Sequence, residues 1–259
     1  MGDHETGWAG RHTGKDALRN EIWSTLKANG IAIDDPYNSI PNFVGADIAA
    51  DRLAALPVWQ QARVVKCNPD APQAHVRLHA LRDGKTLYMA YPRLAVEKCF
   101  LELKADDLLA RGVSLEDASM WQNAIHVGKP VGFDEMQPVD IAVTGCVAVT
   151  RSGGRTGKGA GFADIEFGLL RQTGLLAPQT PIITTIHSTM VVPDERLPLQ
   201  PHDTYLTMIV TEQEVIYTTV DGPQPAGIDW TQIQPDQFET IPVLRRLYAE
   251  YQKKSASPK

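Results

Sequence analysis

Between Arg151 and Leu170 the chain reads RSGGRTGKGAGFADIEFGLL, with five glycines from Gly153 to Gly161 and two cations, Arg155 and Lys158, among them. Glycines let backbone N–H groups approach an anion, and a helix starting at the end of such a loop adds its partial positive charge. A β-branched run, Asp140 to Thr150, comes just before, and an amphipathic stretch, Phe162 to Leu175, follows. Strand, glycine loop and helix together can cradle phosphate groups, and Asp164, in the helix's first turn, would face a metal ion there. Plainer readings stand beside these. The glycines can serve a mobile loop or a close-packed turn. An acidic residue in a first helical turn is favoured by the dipole alone, by about 0.3–1 kcal/mol.

The loop is not a Walker A motif, because Gly153 precedes Gly157 by four residues and Gly159 follows Lys158. The dinucleotide fingerprint also fails, since Phe162 stands where its third glycine would be. His75 and His79 have zinc-compatible spacing, but no third ligand is apparent, and they read as surface residues. No G-x-S-x-G element marks a nucleophilic hydrolase.

The elements that must hold this loop follow from the pattern. The 259 residues are 43% hydrophobic and 22% charged, which predicts a packed core. A net charge of −6 argues against nucleic-acid binding, while leaving room for a small anion in a local basic pocket. Cys67, Cys99 and Cys146 are far apart and read as buried thiols of a reducing compartment. No run approaches the length of a membrane span, so no membrane partner and a cytoplasmic location are expected.

Leu18, Ile22 and Leu26 predict a helix from Lys15 to Ala28, with Lys15 and Arg19 on another face, where composition alone makes them solvated. Helices are expected at Ala46–Leu56, Gln73–Leu81, Phe162–Leu175 and Thr240–Lys253, with a partly helical stretch at Asp106–Trp121. Strands are expected at Arg63–Cys67, Thr86–Tyr91, Lys98–Lys104, Asp140–Thr150, Pro181–His187, Tyr205–Thr211 and Val215–Val220, the last two as a hairpin. Alternating strands and helices predict a single α/β, Rossmann-like domain with a mainly parallel sheet, spanning 14–253 between flexible ends 1–13 and 254–259. Ligands of such folds collect beyond the carboxyl ends of the strands, where the 151–164 loop would lie.

A further segment, Leu197-Pro-Leu-Gln-Pro-His-Asp203, joins RxGKGxGFAD at 155–164, Lys15-x-x-x-Arg19 and the strand from Gly84-Lys85 to Pro92. Together and in this order they resemble the 5-formyltetrahydrofolate cyclo-ligase (methenyltetrahydrofolate synthetase) family, whose loop reads R-x-G-x-G-x-G-Y-Y-D and whose later motif reads L-P-x-E-P-H-D. The resemblance covers about residues 15–215. It implies an ATP- and Mg²⁺-dependent ligase that phosphorylates the formyl oxygen of 5-formyltetrahydrofolate, after which N10 attacks and 5,10-methenyltetrahydrofolate forms. By the same resemblance Lys15 and Arg19 would reach the phosphates. Arg155, Gly157, Lys158, Gly159, Gly161 and Phe162 would surround them, Arg155, Lys158 and Asp164 would act in the chemistry, and Asp164 and Asp203 would hold Mg²⁺. The partner would be a small molecule, a reduced folate or related heterocycle, bound to a monomer or homodimer.

Three positions depart from the family pattern. Pro72-Gln73 replaces a Glu–Thr pair that contacts folate, Phe162-Ala163 replaces Tyr-Tyr, and Gln200 replaces a glutamate. The phosphate and metal half is kept while the substrate half is altered, as in a divergent cyclo-ligase-like branch linked in part to thiamine metabolism. The alternatives are therefore a paralogue with the same ATP site and another acceptor, or a non-catalytic nucleotide- or folate-binding protein.

Overall fold

The apolar repeat of the first helix has a clear structural use: Leu18, Ile22, Trp23 and Leu26 are all buried along α1 (Thr13–Ala28). The computed structural model describes residues 13–197, 203–219 and 223–256. Helices α2 (Ala46–Ala54) and α3 (Pro57–Gln61) follow, the second opened by a proline whose missing N–H costs nothing there. Next come β1 (Val64–Cys67), α4 (Ala74–Arg82) and β2 (Thr86–Ala90). The two strands pair in parallel, Val64 opposite Thr86, as expected of a βαβ unit. Strand β3 (Phe100–Leu103), helices α5 (Ala105–Ala110), α6 (Leu115–Ser119) and α7 (Trp121–Val127), and strand β4 (Lys129–Val131) complete the first half.

The second half contains β5 (Ile141–Val143), β6 (Ala148–Thr150), β7 (Arg155–Thr156), α8 (Phe162–Gln172), β8 (Ile182–Thr185) and β9 (Val191–Val192). Strands β10 (Met208–Val210) and β11 (Val215–Tyr217) and helices α9 (Pro235–Thr240) and α10 (Pro242–Ala256) close the chain. The main sheet runs β11-β10-β8-β5-β1-β2-β3-β4. Its centre, from β10 to β2, is parallel, and β11, β3 and β4 are antiparallel edges. This is the expected α/β architecture with a mainly parallel sheet. Alternate strand residues feed two cores: Val65, Cys67, Leu87 and Met89 pack with α2, α4 and α6, while Val64, Tyr88 and Ala142 pack with α1, α8 and α10.

Three expectations need correction. The run Asp140–Thr150 is two strands in two sheets, because the chain leaves the main sheet after Val143 and β6 pairs with β7 and β9. Gly145 makes the crossing possible: a Cβ there would lie 2.9 Å from Asp70 Oδ2, Gln73 Oε1 and Ile40 Cγ2. The closing helix is divided between α9 and α10, since Pro242 cannot donate within a continuing helix. Helix α10 also runs to Ala256, into the expected tail. The remaining ends, 1–12 and 257–259, and Gln200 lie outside the described residues. The three cysteines are free and buried, as expected.

Candidate functional site

Strand β1 hands directly to Asn68 and Asp70, and β5 to Gly145; these residues line a cavity of about 370 Å³. The cavity thus opens beyond the carboxyl ends of the parallel strands, at the topological position where α/β sheets bind ligands. Its other walls come from α1, from the stretch between β7 and α8, from Asp203, and from residues 227–237. All ten residues singled out in the sequence line this one cavity.

The loop has a specific electrostatic form. Arg19 donates from Nε to the Gly157 carbonyl at 2.7 Å and from Nη2 to Thr156 Oγ1 at 2.9 Å. Gln237 Nε2 donates to the Ala160 carbonyl at 3.1 Å. Two loop carbonyls are therefore tied from outside, while among the described residues no protein group accepts from the backbone N–H groups of 157–161. A trans peptide sets its N–H opposite its C=O, so Lys158 and Gly161 present their N–H groups on the side away from Arg19 and Gln237. Gly161 is left-handed at φ +71 and precedes α8 with no side chain of its own to cap the helix. Donors without acceptors at a helix N-terminus attract an anion.

The charged side chains around the loop are paired. Lys15 Nζ lies 2.7 Å from Asp203 Oδ2, with both side chains 10% exposed. Arg155 is strand-borne rather than in the open loop; it pairs through Nη2 with Asp164 Oδ1 and donates from Nε to Thr204 O at 3.0 Å. Burial opposes the charge of Arg155, but the carboxylate of Asp164, with Cys146 and Asp203, holds its pKa above the ordinary arginine value. Thr204 N donates to the same Asp164 oxygen at 3.1 Å, which brings the Asp203 segment against Asp164. Lys158 is half-exposed, 3.8 Å from Asp70. Phe162 begins α8 and is half-buried against the core.

Behind this wall lies a dry ion pair, Lys66 Nζ to Glu166 Oε1 at 2.6 Å, with Asn68 Oδ1 also 2.6 Å from the lysine. Desolvation raises the Glu166 pKa despite its lysine partner. Arg171 is pushed down to about 10 by burial and then by the charge of Arg155. Elsewhere, Lys85 serves structure, donating to Trp59 O and Ala62 O at 2.9 and 2.8 Å. His79 pairs with Asp51 at 2.7 Å. Among the described residues no group of three or more His, Cys, Asp or Glu is placed to hold a metal. Sequence reasoning missed Asn68, Asp70, Gly145 and the 227–237 wall. The first two carried a usable signal, since they directly follow a predicted strand.

The architecture is an α/β fold with a glycine loop at its strand ends, ringed by cations and carboxylates. Residues 11–212 match the model of the 5-formyltetrahydrofolate cyclo-ligase family. The chain is 35% identical over 236 residues to a bovine (Bos taurus) methenyltetrahydrofolate synthase domain-containing protein, covering 90% of the chain and 61% of that protein. It is 33% identical over 241 residues to the human (Homo sapiens) protein of the same name, covering 92% and 62%. The chain thus spans about three fifths of these relatives' length. Among solved structures, the NMR structure of Aquifex aeolicus 5,10-methenyltetrahydrofolate synthetase aligns with a TM-score of 0.50 at 18% identity, over 82% of this chain and 98% of that one, a likeness of fold. The chain belongs to the 5-formyltetrahydrofolate cyclo-ligase family, whose match includes all ten site residues.

Proposed function

We propose that the cavity binds ATP with Mg²⁺ beside a reduced folate, and that the protein converts 5-formyltetrahydrofolate to 5,10-methenyltetrahydrofolate. The observation that carries this reading is the glycine loop, two of whose carbonyls are tied outward while its N–H groups from 157 to 161 have no protein acceptor among the described residues. Phosphoryl transfer asks mainly for in-line positioning and charge neutralisation. Lys15, Arg19 and Lys158 supply positive charge, and the loop and the α8 N-terminus supply neutral donors. Arg155 holds Asp164 in place.

Asp164 and Asp203 fit Mg²⁺, which takes one or two carboxylates and completes its shell with water and phosphate oxygens. Bound there, the ion would offset phosphate charge. In the reaction, the γ-phosphoryl group passes to the formyl oxygen and ADP leaves. N10 then attacks the activated carbon and gives up its proton, the carbon–oxygen bond breaks to release phosphate, and the ring closes.

A second reading keeps the nucleotide and changes the acceptor. Gln73 Nε2 points at Thr185 O and Oγ1, both at 3.3 Å, which leaves its buried Oε1 without a hydrogen-bond partner. This carboxamide stands where the family resemblance expects a folate contact, and at Phe162-Ala163 an aromatic ring and a hydroxyl of the family's Tyr-Tyr are lost.

An absorbance assay for methenyltetrahydrofolate, with protein, ATP, Mg²⁺ and 5-formyltetrahydrofolate, tests the choice. Product that disappears in Asp164→Asn supports the folate reaction. Tight ATP binding without product favours another acceptor, and ligand binding with no phosphate release under any acceptor favours a binding protein. If neither ATP nor folate changes thermal stability, the cavity has been misread.

A further inference from the structure

The family match ends at residue 212, yet one wall of the cavity is built from 227–237. This segment is fitted tightly to the rest. Gly168 of α8 leaves room for it, since a Cβ there would lie 2.9 Å from Ile228 Cγ1 and 3.2 Å from the Ile228 backbone. Trp230 packs on Phe238 and Tyr248, and Ile241, Val243 and Leu244 are buried in the main core. The segment ends at α9, where Gln237 is 7% exposed.

Both ends of the Gln237 carboxamide are used. Its Oε1 accepts from Gln234 N at 2.9 Å, which caps α9, and its Nε2 donates to Ala160 O at 3.1 Å. The same Nε2 would sit 3.3 Å from a Cβ on Gly161, so the loop approaches it as closely as only glycine conveniently permits. The Ala160 carbonyl shares a peptide plane with the Gly161 N–H, the donor at the head of α8. Fixing the carbonyl fixes the direction of that donor. Arg19 does the same for the Gly157 carbonyl at the other end of the loop.

We infer that Gln237 is a positioning residue: the chain beyond the family-matched region clamps the glycine loop and pre-aims the Gly161 N–H at the anion. The inference deepens the nucleotide reading above and rests on it for the identity of the anion. A preset donor raises affinity by sparing the loop its ordering cost on binding.

Two variants isolate the clamp. Gln237→Glu keeps an oxygen for Gln234 N but cannot donate to Ala160. Gln237→Met is neutral and of similar length, and loses both bonds. Their shared defect is the bond to the loop. Limited tryptic cleavage of the free protein after the half-exposed Lys158 should run about 5–10-fold faster in both variants, with cleavage within α10 unchanged. The KM for Mg·ATP should rise by a similar factor, with kcat within about two-fold of wild type.

Loop cleavage equal to wild type in both variants overturns the inference. So does equal loosening of loop and α10, which would make the residue merely structural. If Mg·ATP fails to protect the wild-type loop while the variants still loosen it, the clamp stands and the nucleotide reading falls.

Discussion

Arg155 is almost fully buried, and Asp164 is its counter-charge. Removing one member of a dry pair strands the other. Arg155→Met should therefore cost about 3 kcal/mol, at the low end for such pairs because Asp164 is 30% exposed. Asp164→Asn keeps an acceptor for Thr204 but removes the counter-charge of a guanidinium only 2% exposed, and should cost more, about 4–5 kcal/mol. Urea denaturation at neutral pH measures both, and equal losses would contradict this division of roles.

The buried thiols make a second residue-scale prediction. Desolvation pushes Cys67 up to about 11 and Cys99 up to about 12, from an ordinary 9.0. The unfolded chain releases these protons first, so stability is intact below pH 9 and falls as pH rises toward 11–12. Unfolding free energy measured from pH 8 to 10.5 should decline, and the decline should be shallower in Cys99→Ala after correction for the lost side chain. A flat profile would contradict it.

At the scale of elements, Gly168 is the point where α8 meets the C-terminal wall. Gly168→Ala gains about 1 kcal/mol of helix propensity but forces Ile228 away, at about 1–3 kcal/mol. A net loss of about 1 kcal/mol is expected, with faster exchange confined to the 227–237 segment. A stabilised protein would mean the close approach is slack.

Periodicity located α1 through Leu18, Ile22 and Leu26, and β1–α4–β2 through the Gly84 turn, because those patterns are local. It could not see that Asp140–Thr150 breaks at Gly145. Both halves are β-branched, and the break exists only because Asp70 and Gln73 press on that glycine from another segment. The candidate residues were legible where family spacing carried them, as with Lys15, Arg19 and Asp203. Gln237 carried no signal, since its role depends on a carbonyl 77 positions away.

At the scale of the whole molecule, the cavity gathers cations and neutral donors from four distant stretches of a chain whose net charge is −6. Four cations are matched there by four aspartates, so the neutral backbone donors of the loop, rather than net charge, are what would hold a polyphosphate together with its Mg²⁺. Calorimetric titration of Mg·ATP into the wild type and Lys15→Met tests it most directly. Saturable binding is expected, weakened about 10- to 100-fold in the variant by loss of one charge-assisted hydrogen bond. No binding to the wild type at millimolar Mg·ATP, or equal affinity in both proteins, would contradict the account.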